Sequence, residues 1–136
     1  MVDYVSAHEV EKQKVEKYID FLYDNLQRYI TREEMAKDVY FCLENGRIIG
    51  AYDEDEMIGA AVGVYTPFFD KFHIAHLAVD IKHRRKGIGE DLMERIVPKD
   101  MDASVHLNIE NPITESFYKS IGYELTHKRL KKEKKE

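Results

Sequence analysis

Leu77-Ala78-Val79 is followed, five residues after Val79, by Arg84-Arg85-Lys86-Gly87-Ile88-Gly89. Phe72 to Val79 is a short apolar run, which reads as a buried strand. After it Ile88, Leu92, Met93, Ile96 and Val97 recur at helical spacing, until Pro98 stops the pattern. The stretch is therefore a strand, a basic turn and a helix starting near Gly87. The first N–H groups of a helix have no partner inside it, and the helix dipole adds partial positive charge at that end. Both favour an anion, in particular a phosphate. Glycine at 87 and 89 lets a phosphate approach the backbone, and Lys82, Arg84, Arg85 and Lys86 add charge. A Walker loop is excluded, since Gly-x-x-x-x-Gly-Lys-Ser/Thr is absent. A dinucleotide fingerprint fails because Leu92 stands where its third glycine belongs. The bland alternative is a solvated basic turn with glycines for packing.

Upstream, Ser6 and Glu9 match a capping box, which predicts a helix over 6–30 with Val15, Tyr18, Ile19, Leu22, Leu26 and Tyr29 on one apolar face. Thr31 and Glu34 form a second such box, opening a helix with Met35, Val39 and Leu43 inward and Asn45-Gly46 at its end. Arg47 to Tyr52 and Met57 to Tyr65, joined by the acidic turn Asp53 to Glu56, complete an antiparallel meander with the 72–79 strand. Downstream, 104–109 reads as a strand, 114–120 as a helix ended by Gly122, and 123–130 as a last strand. The fold class is α/β: a mixed, mostly antiparallel sheet flanked by helices. A chain of 136 residues without repeat or linker reads as one domain over 1–136, with 131–136 a frayed, charged tail.

The last eleven residues carry six Lys/Arg against two Glu, so 15 basic face 24 acidic residues in the first 125, a net −9. An acidic body argues against general nucleic-acid binding and is compatible with a cationic acceptor. The one cysteine, Cys42, permits no intrachain disulfide and suits a reducing compartment. Beside Val39 and Leu43 it is a poor nucleophile. There is no signal-peptide pattern at Met1-Val2-Asp3-Tyr4, and no apolar run approaches the roughly 20 residues of a membrane span. The expectation is a cytoplasmic protein that engages neither membrane nor nucleic acid. No histidine spacing marks a zinc site, so no metal is expected.

The chain resembles the GCN5-related N-acetyltransferase (GNAT) family. The family's Gln/Arg-x-x-Gly-x-Gly/Ala signature, placed after a Leu-x-Val-like strand end, matches Leu77 to Val79 and Arg84 to Gly89 with the usual gap. A second signature, Asn-x-x-Ala-x-x-Phe/Leu-Tyr and then Gly-Phe/Tyr, matches Asn111 to Tyr118 and Gly122-Tyr123, with Thr114 in place of the alanine. The resemblance covers 47 to about 125. It implies acetyl-CoA as co-substrate and acetyl transfer to a primary amine by direct attack in a ternary complex. It also implies backbone groups of Leu77, Ala78 and Val79 along the pantetheine arm, and the Arg84, Arg85, Lys86, Gly87, Ile88 and Gly89 segment around the pyrophosphate. Asn111 corresponds to a residue that contacts pantetheine, and Tyr118 to the acid that protonates the leaving thiolate.

Alternation along a strand puts 73, 75, 77 and 79 on one face and His76, the weaker candidate for a base, on the other. His73, six residues before Val79, matches a position where relatives place a base; a side chain there or a water molecule would deprotonate the amine. Family members often end in a strand hairpin. Here about fourteen residues follow Gly122-Tyr123, and the first strand is at best Asp3-Tyr4-Val5. The expectation is truncated peripheral strands and an open sheet edge, which a homodimer would cover. An alternative to transfer is a coenzyme A-binding regulatory or sensing module without activity.

Overall fold

The computed structural model describes residues 1–6, 12–68, 70–107, 112–127 and 129–134. The chain divides into two compact units, Met1–His106 and Leu107–Glu136. The first holds strand β1 (Val2–Ser6), helices α1 (Lys12–Leu26) and α2 (Arg32–Asn45), and strands β2 (Gly46–Asp53), β3 (Glu56–Tyr65) and β4 (Phe72–Val79). A 3-10 turn at Ile81–His83, helix α3 (Ile88–Ile96) and strand β5 (Ala103–Val105) complete it. The five strands lie in sequence order, with β1 to β4 antiparallel and β5 parallel to β4. The second unit holds helix α4 (Pro112–Ser120).

The layers follow from the patterning. Val15, Tyr18, Ile19 and Leu22 of α1 and Met35, Val39 and Cys42 of α2 form one core with Ile48, Ala60, Val62 and Ala78 of the sheet. Gly50 makes room there, because a Cβ at that position would lie 2.8 Å from the Tyr18 ring. On the opposite face α3 covers β2, β3 and β4, and a Cβ at Gly59 would meet Leu92 and Ile88 of that helix. Thr31 caps α2 as expected: its Oγ1 accepts the Glu34 N–H at 3.2 Å, while Glu34 Oε1 accepts the Thr31 N–H at 3.3 Å.

Three expectations are corrected. Ser6 opens no helix; it closes β1, paired with Ile49, and α1 ends at Leu26 rather than Ile30. A capping box is a local pattern, and the long-range ladder outweighs it. Glu9 lies outside the described residues. Nor is the first strand a remnant, since all five residues of β1 pair with β2. The expected strand over 123–130 is not formed: its described residues carry no regular structure, and Leu125 and Leu130 are exposed. Alternating apolar residues do not make a strand without a neighbour to complete the ladder.

Among the described residues no helix is long and apolar enough to cross a membrane.

Candidate active site

The 72–79 strand has the expected bounds, but its outer edge changes partner midway. β5 pairs only with Phe72, His73 and Ile74. From Ala75 to Val79 the side of β4 away from β3 has no ladder partner among the described residues. Asp80 donates its N–H to the Ile58 carbonyl of β3 at 2.9 Å. Backbone groups alternate in direction along a strand, so those of Val79 and Leu77 turn to the open edge. That edge spans about 17 Å at the rise of a strand. An extended chain with amide groups can therefore hydrogen-bond there.

The turn at the end of this edge is braced from within. Arg84 Nε donates to the Val79 carbonyl at 3.1 Å, His83 donates its N–H to the Asp80 carbonyl at 2.8 Å, and His83 Nδ1 lies 3.1 Å from Asp80 Oδ2. The sequence marked Arg84 as one charge among four; its head group instead ties the turn to β4. Asp80 was missed altogether, although an aspartate at a strand end before a tight turn is a recurring turn residue.

Arg85 has φ +65° and Gly87 φ +81°, so two left-handed residues flank Lys86. Such alternation curls a backbone into the nests that bind anions. Gly87 is also the N-cap of α3, and no side chain caps that end. The first bond of the helix runs from the Asp91 N–H to the Gly87 carbonyl at 3.0 Å. The N–H groups of Ile88, Gly89 and Glu90 precede it and have no acceptor within the helix. No side chain blocks their approach at Gly87, where an added Cβ would meet nothing within 4 Å. Asp91, whose charge opposes an anion, accepts a hydrogen bond from Tyr4 Oη at 3.0 Å; the Arg95 guanidinium lies 4.3 Å from the Tyr4 ring centre. Arg85, Lys86 and Gly87 are exposed, and Ile88 anchors the helix in the core. The donor set suits a pyrophosphate, being backbone N–H groups at a helix start with the exposed cations Arg85 and Lys86 beside them.

The two β4 histidines do not lie as simple alternation predicts. Val62 pairs with His76 but Gly63 pairs with Ile74, so Ala75 is an extra residue, a β-bulge. The bulge reverses the alternation. His73 faces the same way as Val64, and His76 as Val62, which puts both histidines on the side turned to α1 and α2. The expectation that 73, 75, 77 and 79 share a face is corrected accordingly.

His73 is buried, with Nδ1 2.8 Å from Ser104 Oγ and its ring 4.5 Å from the His106 ring. Burial, and then the neighbouring His106, hold its pKa down to about 4. The neutral form is thus the one the fold favours. Its contribution to stability is complete above pH 6.5 and is lost as pH falls from 6.5 towards 4. Wild type should lose about 1–2 kcal/mol more than His73→Gln between pH 7.5 and 4.5, read from urea unfolding at the two pH values. Equal losses would show that His73 is not held neutral.

Tyr118 belongs to the second unit. It is buried on α4, its ring 5.1 Å from Phe117 and 5.6 Å from Tyr123, and its carbonyl accepts the Tyr123 N–H at 3.0 Å. Gly122, at φ +100°, makes the turn that returns Tyr123 to it. Burial pushes the Tyr118 phenol well above its ordinary pKa. Asn111 lies outside the described residues. Burial, and then the Asp38 carboxylate, push the Cys42 thiol up to about 12. Native protein should therefore give no thiol colour with a disulfide reagent, and one equivalent only after denaturation; rapid native labelling would contradict this burial. Among the described residues no cluster of three or more His, Cys, Asp or Glu is placed to hold a metal ion.

The same fold recurs in known proteins. The acetyltransferase (GNAT) domain model matches residues 6–135. The aminoglycoside acetyltransferase AAC(6')-Iy, solved with the bisubstrate analogue CoA-S-monomethyl-acetylneamine, superposes with a TM-score of 0.78 at 16% identity, covering 99% of each chain. AAC(6')-IG from Acinetobacter haemolyticus gives 0.72 at 12% identity over 99% of this chain and 98% of that one. A transcriptional regulator from Bacillus halodurans C-125 gives 0.72 at 17% identity, over 98% and 99%. No curated protein matches the sequence. With a family model spanning nearly its whole length, the chain belongs to the GNAT acetyltransferase family.

Proposed function

We propose that the protein transfers the acetyl group of acetyl-CoA to a primary amine by direct attack, working in the cytoplasm. The observation that carries this is the continuous donor track from the open edge of β4 to the uncapped start of α3. Leu77 and Val79 offer backbone groups to an amide-bearing arm. The Arg84–Gly89 turn offers N–H groups and cations to the pyrophosphate at the end of that arm. Acetyl-CoA, when bound, supplies an activated acyl group on a thiol leaving group. The track holds the arm from the pyrophosphate along its length, which fixes the position of the thioester at the arm's far end.

The amine must lose a proton and the sulfur must gain one. In this reading Tyr118 donates to the sulfur, the role its place in the Asn111-to-Tyr123 signature supports. Asn111 takes a contact to the pantetheine. His73, neutral and with a pKa of about 4, is a weak acceptor of the amine proton, which leaves water or another side chain for that step.

The test has two parts. Acetyl-CoA should raise the melting temperature where ATP at equal concentration does not. Transfer is then assayed by thiol release with neamine, spermidine and a short peptide with a free N-terminus. Arg85→Gly combined with Lys86→Ala should weaken acetyl-CoA binding about tenfold, two partly screened cations at a phosphate being worth roughly 1.4 kcal/mol. Stability should hold, because glycine accepts the left-handed φ at 85 more readily than arginine. Stabilisation by acetyl-CoA without transfer to any amine would identify a coenzyme A-binding module instead.

A further inference from the structure

His76 and Asp38 are 38 residues apart in sequence and meet across the α2–β4 boundary, His76 Nε2 lying 2.8 Å from Asp38 Oδ2. His76 is the residue just beyond the Ala75 bulge, in the part of β4 that β5 no longer covers. Its side chain retains 19% exposure and that of Asp38 46%, so both are open to solvent. A carboxylate accepts only, so the pair fixes the hydrogen of the neutral imidazole on Nε2 and leaves Nδ1 as the acceptor. This is an imidazole held in one tautomer by a carboxylate, the usual build of a general base. His73 contrasts in its placement: it is buried, still laddered to β5 and engaged by Ser104.

We propose that His76 is the base that takes the proton from the acceptor amine, and that Asp38 is the positioning residue that sets its tautomer. The inference rests on the acetyl-transfer reading above. The amine lone pair forms the C–N bond to the thioester carbonyl carbon, and the nitrogen's proton passes to His76 Nδ1. Collapse of the tetrahedral adduct breaks the C–S bond, the electron pair leaves on sulfur, and sulfur takes a proton from the acid. Exchange with water returns the proton on His76 to solvent and restores that of the acid. The net change is amine plus thioester to amide plus thiol, with no oxidant or further reactant.

The experiment compares wild type, His76→Ala, His76→Gln and Asp38→Asn as full chains, using acetyl-CoA with neamine, spermidine and the peptide amine. Expected are a kcat at least 30-fold lower in both His76 variants, a KM for acetyl-CoA within twofold of wild type, and partial recovery of His76→Ala on adding imidazole. Asp38→Asn should lose about tenfold in kcat with the same unchanged KM. A strut between α2 and β4 predicts otherwise: lower melting temperatures, no response to imidazole and normal turnover in whichever variant stays folded. That result, or kcat within twofold of wild type in folded His76→Gln, overturns the assignment while the transfer reading stands. A wild type that releases no thiol with any of the three amines overturns both.

Discussion

Tyr118→Phe should lower kcat about 100-fold and leave the KM for acetyl-CoA unchanged. The ring is what packs against Phe117 and Tyr123, and phenylalanine keeps it. Only the hydroxyl is lost. Burial raises the phenol's pKa, which keeps it protonated at any working pH and also makes it a weaker acid than a free tyrosine. The leaving thiol, at a pKa of about 8.5 or above, is the stronger acid of the two. Proton transfer to sulfur is therefore driven by the charge that develops as the C–S bond breaks, not by matched acidity. General acids contribute roughly 10²–10⁴-fold, and this mismatch places Tyr118 at the lower end. Steady-state kinetics with acetyl-CoA varied at saturating amine reads it. Unchanged kcat would remove the acid role and leave Tyr118 as a packing residue.

Gly46→Ala should cost about 3 kcal/mol, at the upper end of the usual cost of overpacking. Gly46 joins the end of α2 directly to β2, with no loop between them. It is buried and pairs with Val64, and an added Cβ would fall within the Gly63 carbonyl. That oxygen belongs to the backbone of β3 and cannot swing aside as a side chain does. The φ at Gly46 is −161°, outside the left-handed region, and the cost argued is that of the steric clash. For a chain of this size the melting temperature should drop by about 10 °C, measured by thermal scan. A drop under 2 °C would mean that the α2–β2 junction yields more readily than the packing indicates.

Much of this architecture was legible because local and long-range signals agree. β4 is bounded by turn residues on both sides, Thr31 and Glu34 cap α2, and Pro98 ends the apolar periodicity of α3. The start of α3 at Gly87 was legible from glycine placement alone. Where the two levels conflict, the sequence misleads. Ser6 carries a helix-start pattern yet belongs to the ladder with Ile49. Tyr123 and Leu125 alternate as in a strand, but a strand needs a neighbour. The Ala75 bulge has no local marker, neither glycine nor proline, and its effect is large: it carries His73 and His76 to one face. The meeting of His76 with Asp38 depends on how α2 crosses the sheet, which no spacing within either segment encodes. Arg84 was read as charge for a ligand, whereas its bond to Val79 shows that it first holds the turn in shape.

The central claim is that the turn from Arg84 to Gly89 holds the pyrophosphate of coenzyme A on backbone N–H groups. Titrating coenzyme A into ¹⁵N-labelled full chain and following the amide resonances tests it directly. The amides of Gly87, Ile88, Gly89 and Glu90 should move furthest on binding, and pantetheine, which lacks the pyrophosphate, should leave them in place. Saturable binding of coenzyme A with these four amides unmoved would contradict it.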